Sequence, residues 1–247
     1  MTGRELLRES ETLDDLILGG LHIIQSKQGY RFSLDAVLLS QFAQPEGVKT
    51  IIDIGTGNGV IPLLMSYRTA EARILGVEIQ KTMAERARRS TVLNQKEKQI
   101  EILNEDICQI ERVLPGGYAQ LVLSNPPFWR QGEGKISQNE EAAIARHELH
   151  LNMKELVEKA FYLLQDGGKF AVIQRAERME EMMKTFVDRG FRLKRMRLIH
   201  SLASRNAKLV LLEGQKHGRG QLDILPPLII YEKQGEYCEE LRRIYAI

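Results

Sequence analysis

The stretch Thr50-Ile51-Ile52-Asp53-Ile54-Gly55-Thr56-Gly57-Asn58-Gly59 decides the architecture. Its first half is a short, β-branched, almost wholly apolar run, which reads as a strand buried on both faces. Its second half places glycine at every other position, so the backbone can turn sharply and approach a ligand closely. Apolar residues from Ile61 to Tyr67 then predict a helix. The spacing is Gly-x-Gly-x-Gly, which differs from the Gly-x-Gly-x-x-Gly of dinucleotide sites, and no Lys-Ser/Thr pair follows as a P-loop requires.

Working outward, strand and helix patterns alternate. Strands are predicted at Arg73 to Glu78, Ile100 to Leu103, Gln120 to Ser124 and Lys169 to Gln174. An amphipathic helix is predicted from Lys81 to Asn94, and a second from Asn152, with Glu155 as a capping-box acid and Gly167-Gly168 as its stop. A helix from Glu177 to Arg189 closed by Gly190 follows, and then two strands, Arg192 to His200 and Lys208 to Glu213. Strands alternating with helices imply a mostly parallel sheet covered on both faces. The two late strands, joined by a short connection, form an antiparallel pair at one edge. Before this core, Leu16 to Gln25 reads as a strand or hairpin around Gly19-Gly20, and Ser33 as the cap of a helix from Leu34 to Phe42. Residues 1–48 are taken as an extension packing on a core of 49–247.

Composition sets bounds. The chain has 247 residues, 43% apolar and 28% charged, which is ordinary for a globular protein. Two cysteines exclude a disulfide framework and a multi-cysteine zinc site, and no metal is expected. No apolar run reaches 18 residues and residues 1–11 carry no signal core, so neither a membrane partner nor export is expected and a cytoplasmic location is the default. The net charge of +2 is uneven: residues 189–219 hold nine Lys and Arg against one acid, Glu213. That block is either a phosphate-tracking surface for nucleic acid or a solvated basic strand pair.

In parallel sheets the ligand site lies beyond the carboxyl ends of the strands, and every chemically pointed residue falls there. Glu78 ends the second strand of the core, where an acid accepts ribose hydroxyls. Asp106 follows the third, either accepting an adenine amino proton or capping a turn. Asn125-Pro126-Pro127-Phe128 follows the fourth. The Asn125 side-chain oxygen and the Pro126 carbonyl are two acceptors that would grip the hydrogens of a planar NH2 group. The prolines hold the turn rigid and Phe128 offers a stacking face.

These motifs, in this order, resemble the class I S-adenosylmethionine-dependent methyltransferases that act on planar amines. The resemblance implies a Rossmann-like α/β fold with a seven-stranded, mostly parallel sheet, an antiparallel edge strand pair and helices on both faces. It implies S-adenosylmethionine as cofactor, held by Phe32, Asp53, Gly55, Gly57, Asn58, Gly59, Glu78, Ile79, Asp106, Ile107 and Asn125, with Asn125, Pro126, Pro127 and Phe128 catalytic. The stretches Gly29-Tyr30-Arg31-Phe32-Ser33-Leu34-Asp35-Ala36-Val37-Leu38-Leu39, Ala145-Arg146-His147-Glu148 and Leu225-Pro226-Pro227-Leu228-Ile229-Ile230-Tyr231 are similar to bacterial tRNA1(Val) adenine-37 N6-methyltransferases. That implies tRNA as the partner and an adenine N6 amine as the acceptor. Phe128, where many tRNA enzymes carry Tyr, keeps N2-guanine rRNA transfer as the alternative, with glutamine N5 transfer to protein and a non-catalytic RNA-binding role behind it. His147 reads as a structural or RNA-contacting residue more readily than as a base.

Overall fold

A computed structural model describes residues 6–28, 33–126, 151–233 and 235–245. The N-terminal hairpin consists of β1 (Glu11–Asp15) and β2 (His22–Ser26). The core then runs α1 (Leu34–Phe42), β3 (Thr50–Ile54), α2 (Val60–Arg68), β4 (Arg73–Glu78), α3 (Lys81–Leu93), β5 (Ile100–Asn104) and β6 (Ala119–Ser124). After the undescribed stretch come α4 (Met153–Leu163), β7 (Leu164–Arg175), α5 (Met179–Arg189), β8 (Phe191–His200) and β9 (Ala207–Lys216). The C-terminal part adds β10 (Asp223–Ile224), β11 (Leu228–Ile229), β12 (Tyr231–Lys233), β13 (Glu236–Tyr237) and α6 (Glu239–Tyr245).

The main sheet has the order β10-β8-β9-β7-β6-β3-β4-β5, with β11 also on β8. Strands β3 to β7 are mutually parallel, and β9 runs antiparallel between β7 and β8. The expected α/β sheet is therefore present, but it has nine strands and not seven. The addition comes from the Pro226-Pro227 pair. Prolines cannot donate to a ladder, so the chain passing them divides into two two-residue strands. Asp223 and Ile224 pair with Arg195 and Met196, and Leu228 and Ile229 with Ile199 and His200. They cover the edge that β8 would otherwise expose.

Apolar alternation splits the core into two layers. Ile51, Leu121, Ala171 and Leu211 face α1, α2 and α3, while Ile52, Val122, Val172 and Leu212 face α4 and α5. A second correction concerns α4. Its Asn152–Glu155 capping box is formed reciprocally, at 2.9 and 3.0 Å. The helix nonetheless stops at Leu163, ahead of Gly167-Gly168, because Leu164 already pairs with Ala119. Both glycines lie inside β7, where a side chain at Gly168 would collide with the Gln165 carbonyl at 2.9 Å. Ser33 is the first residue ahead of α1, but its side chain makes no capping hydrogen bond.

The hairpin is fastened to α3. Arg89 clasps the buried Glu11 carboxylate with both terminal nitrogens at 2.6 Å, and Arg86 stands 3.3 Å away. The outer edge of β2 bonds to helix side chains: the Ile24 N–H donates to Ser90 Oγ at 3.0 Å, and Asn94 both accepts from His22 N–H at 2.9 Å and donates to its carbonyl at 2.7 Å.

Candidate active site

The order β6-β3-β4 contains the point where the chain reverses its direction of travel across the sheet, and a crevice opens beyond the carboxyl ends there. In register, Ile54 pairs with both Val77 and Ser124, and Glu78 with Asn104. The residues that follow, Gly55, Ile79, Glu105 and Asn125, therefore emerge side by side. The Ser124 hydroxyl donates to the Ile54 carbonyl at 2.8 Å and fixes the starting point of Asn125 relative to the glycine loop.

The loop itself is tightly held. Gly55, Gly57 and Gly59 all have positive φ, at 74°, 57° and 90°. Side chains at Gly55 or Gly57 would meet nothing within 4 Å, so both backbones border open space, whereas one at Gly59 would press on Ala87 at 3.1 Å. The Glu78 carboxylate stitches the loop, accepting from Gly57 N–H at 2.8 Å and from Gln80 N–H at 2.9 Å. A carboxylate has about four acceptor positions. Glu78 thus serves the loop while keeping capacity for hydroxyl donors. Asp106 accepts from Cys108 N–H at 2.8 Å through Oδ1 and caps the short helical turn Ile107–Arg112. The capping role is therefore real for one of its oxygens.

A cleft of about 190 Å³ lies over these strand ends, walled by Ile54, Val77, Ile79, Ile107 and Leu151, with Glu78 and Asp106 at its polar margin. Of the expected cofactor residues, Gly55, Glu78, Ile79, Asp106 and Ile107 line it. Asp53 and Asn58 are buried beneath, at 0% and 5% exposure. Both Asp53 oxygens, Thr56 Oγ1 and Asn58 Oδ1 are buried and make no hydrogen bond. Burial pushes the Asp53 carboxyl up to about 7, with the Glu78 charge adding to it. The neighbouring Thr56 hydroxyl offsets part of this, without closing a hydrogen bond of full geometry.

Asn125 and Pro126 sit half-buried at the end of β6. Phe32, Pro127, Phe128 and His147, with the stretches Gly29-Tyr30-Arg31 and Ala145 to Glu148, lie outside the described residues. Sequence reasoning missed the walls contributed by Ile54, Val77 and Leu151, and the lining by Glu105 and Cys108. Val77 was findable from the alternation of β4, while nothing in the sequence marks Leu151.

The basic block is largely committed elsewhere. Arg195 pairs with the buried Glu213 at 2.7 Å, and Arg197 with Glu240 of α6 at 2.6 Å. Arg192 and Lys194 donate to the carbonyls of Gly220 and Arg219, and Arg189 and Lys216 lie over the Phe161 ring. Only Arg205 and Lys208, in and beside the β8–β9 turn, are exposed at the end of the sheet that carries the site. Among the described residues no helix is long and apolar enough to cross a membrane, and no group of three metal-ligating side chains occurs.

Comparison with known proteins fits this arrangement. The chain is 32% identical to a tRNA1(Val) (adenine(37)-N6)-methyltransferase of Phocaeicola vulgatus, over 72% of this chain and 74% of that one. It is 28% identical to the protein of the same name from Porphyromonas gingivalis, over 90% and 89%. Among solved structures, a predicted O-methyltransferase from Agrobacterium tumefaciens shares the fold, with a TM-score of 0.67 at 23% identity over 86% of this chain and 95% of that one. The methyltransferase small domain matches residues 33–196, from the start of α1 into β8 and so across every strand end that builds the crevice, and the chain belongs to that family of methyltransferases.

Proposed function

We propose that the chain transfers a methyl group from S-adenosylmethionine to the exocyclic N6 amine of an adenine in tRNA. The observation that carries this is the placement of a turn rich in carbonyl acceptors, Asn125-Pro126, directly beside a glycine loop over buried, unsatisfied polar atoms. The residues fit the cofactor. The apolar walls suit an adenine ring, Glu78 and Asp106 offer acceptors for hydroxyl and amino protons, and Gly55 and Gly57 leave room that a side chain would fill. The Asp53 carboxylate and Asn58 Oδ1 are buried acceptors without a full hydrogen bond, and a polar cationic ligand supplies donors for them.

When bound, S-adenosylmethionine supplies a methyl already activated on a sulfonium. The protein's work is then mainly alignment. Asn125 Oδ1 and the Pro126 carbonyl accept the two amine hydrogens, drawing the nitrogen lone pair out of the ring plane and toward the methyl. Because the product nitrogen is acidic until it loses a proton, no strong general base is needed. Phe128, following the turn in sequence, supplies the face on which a flipped base stacks. Arg205 and Lys208 offer backbone phosphates two cations at the same end of the sheet.

The test is Asn125→Ala, assayed with labelled cofactor and unmodified tRNA, with rRNA and release factor in parallel and digestion of the product. Labelled N6-methyladenosine that disappears in the variant, with cofactor affinity retained, supports the reading. Label in guanine or in protein would refute the substrate, and full turnover by the variant would refute the role of Asn125.

A further inference from the structure

We propose that Gln174 is a positioning residue for methyl transfer, its side-chain amide donating to the Asn125-Pro126 turn and holding that turn in the form that accepts the substrate amine. Gln174 lies one residue from the end of β7 and is fully buried. Its Oε1 accepts from the Arg175 N–H at 2.9 Å. That bond fixes which way the amide points, because exchanging the two ends would set one N–H donor against another. The nitrogen is therefore the unmatched atom, and Nε2 is buried with no hydrogen-bond partner. Burying a donor without a partner forfeits its hydration and is unfavourable for folding. A methionine of similar length would fill the same space without that cost, and rules broken locally are expected at functional sites.

The register says what the amide is for. Val172 of β7 lies opposite Ser124 of β6 in a parallel pair. β6 ends at Ser124; continued two residues beyond that last pair, the register sets Gln174 opposite Pro126 of the turn, and alternation keeps Gln174 on the sheet face of Val172. The turn is short of donors, since prolines at 126 and 127 have no N–H. What it presents are carbonyls, each with two lone pairs. One lone pair of the Pro126 carbonyl suits the substrate amine, and the other suits Gln174 Nε2. The two strand ends thus hold complementary halves of a hydrogen bond that closes as the turn settles on its substrate.

The inference rests only on the planar-amine part of the proposed function and would survive a change of target base. It is tested with Gln174→Met and Gln174→Asn in the full-length protein, on whichever substrate the wild type labels. Thermal midpoint, cofactor affinity by calorimetry, and kcat and KM are read together. The expected result for Gln174→Met is an unchanged or raised midpoint, cofactor affinity within about twofold, and kcat lower by about 10- to 100-fold at little change in KM. Gln174→Asn, which keeps the donor one methylene short, should recover part of the lost kcat. A lowered midpoint with unchanged kcat per folded molecule would show Gln174 to be structural, as would failure of both variants to fold. Unchanged kcat in both would overturn the proposal outright. Wild type that labels only guanine or protein would refute the adenine assignment and leave the Gln174 comparison readable.

Discussion

Replacing Asp53 by asparagine should stabilise the protein at neutral and alkaline pH and weaken its grip on the cofactor. Asp53 is fully buried, neither oxygen is hydrogen-bonded, and its carboxyl is raised from 3.8 to about 7. Burial is the main cause, and the Glu78 charge works in the same direction. A displacement of that size corresponds to about 4 kcal/mol, an upper figure for a buried group. The sign follows from linkage. Between pH 3.8 and about 7 the folded protein holds a proton that the unfolded chain releases. Stability from this group is therefore complete below 3.8, declines as pH rises, and is gone above about 7. Asparagine does not titrate, so the difference between variant and wild type should grow across that window in favour of the Asp53→Asn protein. Urea denaturation of both proteins at half-unit steps from about pH 4.5 to about 8.5, with no ligand present, measures this difference. Parallel stability curves, or a variant that loses ground at the alkaline end, would refute the reasoning. The same buried charge should cost cofactor affinity when removed, because a cationic ligand is what repays its burial. Binding to wild type near neutral pH should accordingly release protons, visible as buffer-dependent heats that Asp53→Asn abolishes.

Two further outcomes follow from the packing. Glu11→Gln leaves Arg86 and Arg89 without their shared carboxylate in a largely buried cluster, and should cost about 3 kcal/mol in chemical denaturation. Burial works to raise the Glu11 carboxyl, but the hydrogen bonds and charges of Arg89, Arg8 and Arg86 hold it below its usual 4.5, so this loss should fade as pH falls below that value. Gly76→Ala would set a methyl 2.8 Å from Thr56 Oγ1 and 2.9 Å from Ile102 Cδ1. It should destabilise by about 1–3 kcal/mol and, by displacing Thr56 within the glycine loop, lower cofactor affinity more than a control such as Gly47→Ala at the far end of β3, as calorimetry would show.

Where one element packs directly on the next, the sequence was readable. Thr50–Ile54, Arg73–Glu78 and Leu34–Phe42 begin and end where their apolar patterns do. That the glycine loop, Glu78, Asp106 and Asn125 come together was readable because strand ends in a parallel sheet converge on one crevice. What escaped was set by partners distant in the chain. The two strands flanking Pro226-Pro227 exist only because β8 has an open edge for them. The start of β7 at Leu164 depends on pairing with Ala119. The fate of the basic block turned on Glu213 and Glu240, which composition cannot match to Arg195 and Arg197. Gln174 resembles any polar residue near a strand end until its burial is seen.

The way β2 meets α3 has a consequence for association. A two-stranded hairpin leaves two open edges, each a template onto which a second chain can add a strand. On β2 that template is already taken, because Ser90 and Asn94 answer the backbone groups of Ile24 and His22 as a neighbouring strand would. A helix thus impersonates a strand with side chains alone. Extending the sheet on that side would require another molecule to displace this chain's own α3, so self-assembly by strand addition is closed off there without a proline, a bulge or a charge at the edge.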